Sequence, residues 1–272
     1  RDPEMSRGLG DVYKRQKYAD VIDQLPAMKE LYGHRARLRK ERGCMDIESG
    51  EVKLILDENG RCIDVKKRTS GESESMIEEF MLLANQCAAH FARVKQIPFV
   101  YRVHEEPNAE KLERLHALLQ ACGINDHFAK EVPTPKELSA ILEGVRGTPY
   151  EQIINTGMLR CMSKALYEEK PKGHYGLVLK DYAHFTSPIR RYADLVVHRS
   201  LNPLLANPPK GAKGAGSTGR LEEDAEHISE TERISASAEK DANRMKLFEW
   251  LEGQCYTCLL YTSPSPRDIS GS

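Results

Sequence analysis

The stretch from Met76 to Lys95 constrains the fold more than any other part of this chain. Its apolar residues fall at Ile77, Phe80, Leu83/Ala84, Cys87/Ala88, Phe91 and Val94, which is the spacing of one stripe along a helix. A helix of five or more turns with one apolar side has to lay that side against other elements. Ser73 and Ser75 stand where residues that cap a helix start are expected.

Helical spacing recurs elsewhere. Val21, Leu25, Met28 and Leu31/Tyr32 predict a helix over Lys17–Arg42, ended by Gly43, with the basic run His34–Arg42 as a solvated face. Further helices are expected at Ala109–Cys122, Pro135–Val145 and Tyr150–Tyr167. Another opens at Ser187-Pro188 and runs to about Leu205, because proline suits a first helical position. The last covers about Arg220–Glu252, after a Gly/Pro-rich loop over 206–219. Strand signals are fewer. Val52–Leu56 and Arg61–Val65 flank Asn59-Gly60, a hairpin signature, and short strands are expected at Ile97–Val103 and Tyr175–Leu179. The expected class is α+β, helix-rich, with a few short strands.

Composition adds exclusions. No apolar run approaches the roughly 18–20 residues of a membrane span. The chain carries 40 Lys+Arg against 41 Asp+Glu, without the basic excess of a general polyanion binder. Seven cysteines in 272 residues do not read as a disulfide scaffold, so a cytoplasmic setting is expected. The two ends, Arg1–Gln16 and Leu259–Ser272, lack any helical or strand period and resemble translated sequencing-adapter read-through. We expect the genuine chain to be Lys17–Glu252, with 253–272 an uncertain junction and tail, and to be an internal piece of something longer.

Most chemical motifs have ordinary explanations. Cys255-Tyr-Thr-Cys258 has no second ligand pair of the kind a structural zinc requires. Glu222-Glu223-Asp224 suits the positive end of a helix. Glu78-Glu79, beside the apolar stripe, reads as half of a structural ion pair, with a functional carboxylate as the alternative.

The informative segment is Gly173–Arg199, GHYGLVLKDYAHFTSPIRRYADLVVHR. With a helix opening at Ser187-Pro188, Arg190 and Arg191 fall in its first turn. Free N–H groups, the helix dipole and an arginine fork there form a phosphate site. Arg190, Asp194 and His198 share a face at i, i+4, i+8, and Tyr175, Tyr182, Phe185 and Tyr192 supply rings on which bases could stack. An ordinary exposed Arg190–Asp194 ion pair remains equally open on the residues alone.

His184-Phe-Thr-Ser-Pro-Ile-Arg-Arg-Tyr192, with Gly173-His-Tyr-Gly-Leu177 before it and His198-Arg199 after it, resembles the signature of the RNB-domain exoribonucleases, ribonuclease R more than ribonuclease II. Ile77–Asn85, Pro98–His104, Met158–Tyr167 and Thr231–Arg233 resemble further family blocks in the same order. The resemblance implies part of an RNB catalytic domain from a processive, monomeric 3′→5′ enzyme. It would hydrolyse single-stranded RNA, not DNA, to nucleoside 5′-monophosphates.

It further implies that Arg190 grips the scissile phosphate as the catalytic arginine. His184, Ser187, Arg191 and Tyr192 would contact RNA with it, and Glu239 would tune contact or release. A base-clamping phenylalanine of ribonuclease II aligns with Ile47, which weakens stacking there. The family's magnesium is held by clustered aspartates. This sequence has no Asp-Asp or Asp-x-Asp, and its closest aspartates are Asp20 and Asp23. No metal ligand is therefore assigned, and the chain alone is expected to be inactive. A non-catalytic RNA-binding relative is the rival expectation.

Overall fold

The computed structural model describes residues 22–45, 52–67, 71–125, 128, 131–204 and 220–262, with side chains as far as 254. Asp20, Ile47, the 206–219 loop, the N-terminal stretch and the last ten residues lie outside them. The described chain is built from helices α1 (Leu25–Glu41), α2 (Glu72–Val94), α3 (Ala109–Ala121), α4 (Pro135–Val145), α5 (Glu151–Cys161), α6 (Tyr192–Leu201) and α7 (Leu221–Thr262). Two antiparallel ribbons, β1 (Val52–Leu56) with β2 (Cys62–Lys67) and β3 (Tyr101–Val103) with β4 (Leu166–Glu168), complete it. This is the helix-rich α+β class expected.

Local chemistry explains several boundaries. Asn108 and Thr134 cap α3 and α4 by accepting the N–H groups of Lys111 and Glu137, and Glu137 returns a bond to the Thr134 N–H. Asp57 accepts the N–H groups of Asn59 and Arg61 and so shapes the turn between β1 and β2. The start of α2 differs from the expectation. Gly71, extended at ψ 169°, is the capping residue, and Glu74 reaches back to its N–H, so Ser73 and Ser75 lie inside the helix.

Two apolar cores result. One gathers Ala88, Ala89 and Ala92 of α2, Phe99, Val100, Tyr101 and Val103, Val196 and Val197 of α6, and Leu221, Ala225 and Ile228 of α7. The other joins Leu115 and Leu119 of α3, Leu138 and Leu142 of α4, and Ile154 and Met158 of α5. Each fully buried side chain of this size contributes about 1.5–3 kcal/mol. Gly157 is what lets α5 approach α3, since a Cβ there would collide with Leu118.

Other expectations needed correction. The helix predicted through Tyr167 ends at Cys161, because the Met162 carbonyl is taken by Lys111 Nζ and the Ser163 carbonyl by His104. The freed segment becomes β4, and of Ile97–Val103 only the last three residues pair with it. The expected strand at Tyr175–Leu179 is a 3₁₀ turn, Tyr175–Leu177, followed by Val178 in the left-handed region. On α1, Leu25 and Leu31 are exposed. Arg39 of the supposedly solvated basic run turns inward to the buried Glu79. A buried carboxylate requires a partner, and this one outweighs the pull of the solvent on Arg39. Helix α7 continues ten residues beyond the expected end.

Candidate nucleic-acid interface

The signature does not open a helix at Ser187-Pro188. Residues 187–191 form a turn in which the N–H groups of both Arg190 and Arg191 point to the Ser187 carbonyl. Arg191 is extended (φ −126°, ψ 118°), and α6 begins only at Tyr192. The cause is Asp194. It is fully buried on α6, and its Oδ1 accepts the Ser187 N–H at 2.7 Å, folding the loop back over the helix start.

The same carboxylate selects between the two arginines. Arg191 Nη2 donates to Oδ1 at 3.0 Å, and its Nε lies 2.9 Å from Oδ2. That second contact is an ion pair without hydrogen-bond alignment, since neither atom has a hydrogen-bond partner. Neither an Arg190–Asp194 pair nor a shared face for Arg190, Asp194 and His198 survives. Arg190 stands outside the helix, exposed, with no hydrogen bond or ion pair from its side chain to the described residues. One guanidinium is thus anchored and its neighbour is presented.

The loop is suspended from α2 and β4. Asn85, buried on α2, accepts the Phe185 N–H at 2.9 Å and donates to the Tyr182 hydroxyl at 3.2 Å. The ring of Phe185 stacks on His198 at 4.2 Å, and His198 Nε2 lies 2.8 Å from the Phe185 carbonyl. His184 Nδ1 contacts the Tyr167 hydroxyl at 2.8 Å. Tyr167 in turn lies under Arg102 and within reach of Glu232 of α7, which also binds Arg102 at 2.6 Å. Burial, reinforced by Arg191 and Arg102, pushes His184 down to about 3. Burial beside His104 and Arg102 brings His174 to about 3 as well. Both rings are neutral near pH 7; His184 ties the loop to Tyr167 and His174 accepts the Leu177 N–H in the preceding 3₁₀ turn, and neither adds charge.

The structure gathers His184, Ser187, Arg190, Arg191 and Tyr192 on one loop and helix start. Tyr192 is half-exposed, with Arg199 5.9 Å from its ring centre. Glu239 is exposed on α7, two turns and about 10 Å along the helix from Glu232; none of its described contacts joins it to the loop. Sequence reasoning missed Asn85, Tyr167 and Glu232 as supports. All three stand inside blocks that carried the family resemblance, but their partners are many residues away in sequence.

Magnesium takes carboxylate and water oxygens. Among the described residues no group of three or more His, Cys, Asp or Glu side chains could hold a metal. The two aspartates of the signature segment are already committed, Asp194 to Arg191 and Asp181 to His90 and Arg93. The described residues do not fit the ion.

Comparison with known proteins identifies the family and the fold. Residues 4–207 match the RNB domain, and the chain belongs to that family. It is 36% identical over 252 residues to ribonuclease R 1 of Lactococcus lactis, covering 89% of this chain and 30% of that one. The apo form of Mycoplasma genitalium RNase R superposes with a TM-score of 0.79 at 29% identity, over 86% of this chain and 37% of the other. The same enzyme in complex with ribose-methylated single-stranded RNA gives 0.77 at 29% identity, with the same coverage of each chain. The chain spans about a third of the length of the curated relatives it matches. Among the described residues no helix is long and apolar enough to cross a membrane.

Proposed function

We propose that this chain is part of a processive 3′→5′ exoribonuclease that hydrolyses single-stranded RNA to nucleoside 5′-monophosphates, acting as a cytoplasmic monomer. One observation carries the reading: Arg190 is exposed and has no side-chain partner among the described residues, while Asp194 pins its neighbour Arg191. A cation left free on a rigid loop can meet a phosphate without first breaking a protein contact. A fixed donor aimed at charge that develops in the transition state costs little reorganisation when the reaction occurs.

In this reading Arg190 binds the phosphate at the scissile bond. Arg191 and Ser187 set the loop through Asp194, and His184 holds it from beneath. Tyr192 offers a ring face for a base. Glu239, further along α7, contacts the strand or assists its release. Magnesium in the complete enzyme is held by residues other than those described, and the chain alone is inactive. The similarity to an RNA-bound ribonuclease R supports RNA as the ligand.

The test is the intact reading frame, expressed and supplied with end-labelled RNA. Magnesium-dependent shortening from the 3′ end to mononucleotides is expected. Purely endonucleolytic products, or RNA binding without cleavage, would overturn the reading. The second outcome would make the protein a non-catalytic RNA-binding relative.

A further inference from the structure

The inner face of α1 is arginine where a packed helix normally presents leucine. Arg35, Arg39 and Arg42 recur at i, i+4 and i+7, one above another, and all three are half-buried. Among the described residues only Arg39 of the three has acidic partners, Glu79 at 2.8 Å and Glu78 at 3.2 Å. Arg35 reaches the neutral Gln86 at a long 3.4 Å, and Arg42 has no side-chain partner among the described residues. The Nε atoms of Arg35 and Arg42 are both buried without a hydrogen-bond partner. An unpaired buried donor is destabilising, and the two guanidiniums repel each other. Burial and the nearby Arg35 pull Arg42 below the ordinary arginine value.

This ladder adjoins the signature loop. Gln86, which receives Arg35, is the chain neighbour of Asn85, which holds the Phe185 N–H. At the end of α1, Cys44 donates its thiol to the carbonyl of Gly176, in the 3₁₀ turn before the signature. The ladder and the loop are therefore held from adjacent positions of α2, and the end of α1 is tied to the 3₁₀ turn before the signature.

We propose that Arg35 and Arg42 form a second anion site, which takes backbone phosphates of the RNA strand away from the scissile bond held by Arg190. The chemistry favours phosphate because planar guanidinium forks bind its oxygens bidentately. Arg35 and Arg42 lie seven residues apart, about 10.5 Å along the helix axis, so the two forks would meet phosphates that are not adjacent on an extended strand. Arg39, occupied by Glu78 and Glu79, keeps the ladder in register. The proposal rests on the reading of the protein as an RNA enzyme, and its test separates the two.

The experiment follows the guanidinium Nε–H signals of the ¹⁵N-labelled chain. They are assigned through Arg35→Lys, Arg42→Lys and Arg190→Lys variants, whose amide spectra report that the fold is retained. The probes are a short oligoadenylate and, separately, a hexaglutamate peptide. Signals of Arg35 and Arg42 should move saturably with oligoadenylate and not with hexaglutamate. In the Arg35→Gln/Arg42→Gln variant, the slope of log affinity against log salt should fall by about 1.4, the loss of two single-strand phosphate contacts.

Movement of Arg190 alone would overturn the second site and leave the proposed function standing. Movement of Arg35 and Arg42 without Arg190 would support the site and remove Arg190 from the RNA contact. No movement with oligoadenylate would sink both. A response to hexaglutamate instead would reassign the ladder to an acidic protein segment.

Discussion

Replacing Asp194 with alanine tests the central feature of the site, the sorting of two adjacent arginines into an anchor and a free cation. The carboxylate is fully buried and serves two donors, the Ser187 N–H at 2.7 Å and Arg191 Nη2 at 3.0 Å. Its removal leaves Arg191, whose side chain is only 20% exposed, as a mostly buried charge. Breaking a buried pair in this way costs about 3–5 kcal/mol. Water can reach part of Arg191 and the half-buried Ser187, which places the expected loss near the lower end, about 3 kcal/mol. Asp194→Asn keeps the shape and an acceptor for Ser187, and should cost about 1.5–3 kcal/mol. Urea denaturation followed by circular dichroism measures both. The Asp194→Ala/Arg191→Ala double variant should be less destabilised than the sum of its parts by about 1–3 kcal/mol. An Asp194→Ala loss below about 1 kcal/mol, or additive single variants, would refute the anchoring argument.

Arg190→Ala should change stability by no more than about 0.5 kcal/mol, as an exposed unpaired side chain does. In the intact enzyme it should lower turnover about 10²–10³-fold, the scale of one transition-state donor; a loss confined to RNA affinity would make Arg190 an anchor only. Asn85→Ala removes an acceptor from Phe185 and a donor to Tyr182 and should cost about 2 kcal/mol in the same denaturation assay. His174 and His184, both near 3 when folded, take up protons first in the unfolded chain, at about 6.5. Stability is therefore complete above that value and falls as the pH drops towards 3, by about 1.4 kcal/mol per unit for each ring at most. Urea midpoints that stay flat from pH 7 to pH 5 would contradict this. Gly43→Ala should cost at least about 2 kcal/mol, since φ is +77° and the new methyl would press on the backbone and Cβ of Lys136.

Much of the fold was legible because its causes are local. The helical extent of α2, the Asn59-Gly60 turn and the extent of α4 follow from residues within a few positions of one another. The buried face of α2 does not: Ile77, Phe91 and Val94 of the expected stripe are exposed, and Glu79, Asn85, Ala88, Ala89 and Ala92 face inward because the neighbouring elements pack there. The family signature was legible for a related reason: a nine-residue run with its flanks is specific without any fold. Local spacing failed where a distant partner won. The expected helix runs on through Tyr167, yet His104, Lys111 and Tyr101–Val103, about 50–65 residues earlier, end it at Cys161 and draw Leu166–Glu168 into a strand.

The same contrast divides the candidate site. Chain order alone puts two adjacent arginines near a serine and a histidine at the loop. Their separate roles come from packing. Asp194 lies three residues from Arg191 and four from Arg190, a helical spacing that allows either pairing. The choice of Arg191 follows from the burial of Asp194 between α6 and the core. A desolvated carboxylate draws in the nearest backbone N–H, that of Ser187, and the turn this creates delays the helix to Tyr192. Arg191 then faces inward and Arg190 outward, and burial, which no local pattern encodes, is the reason.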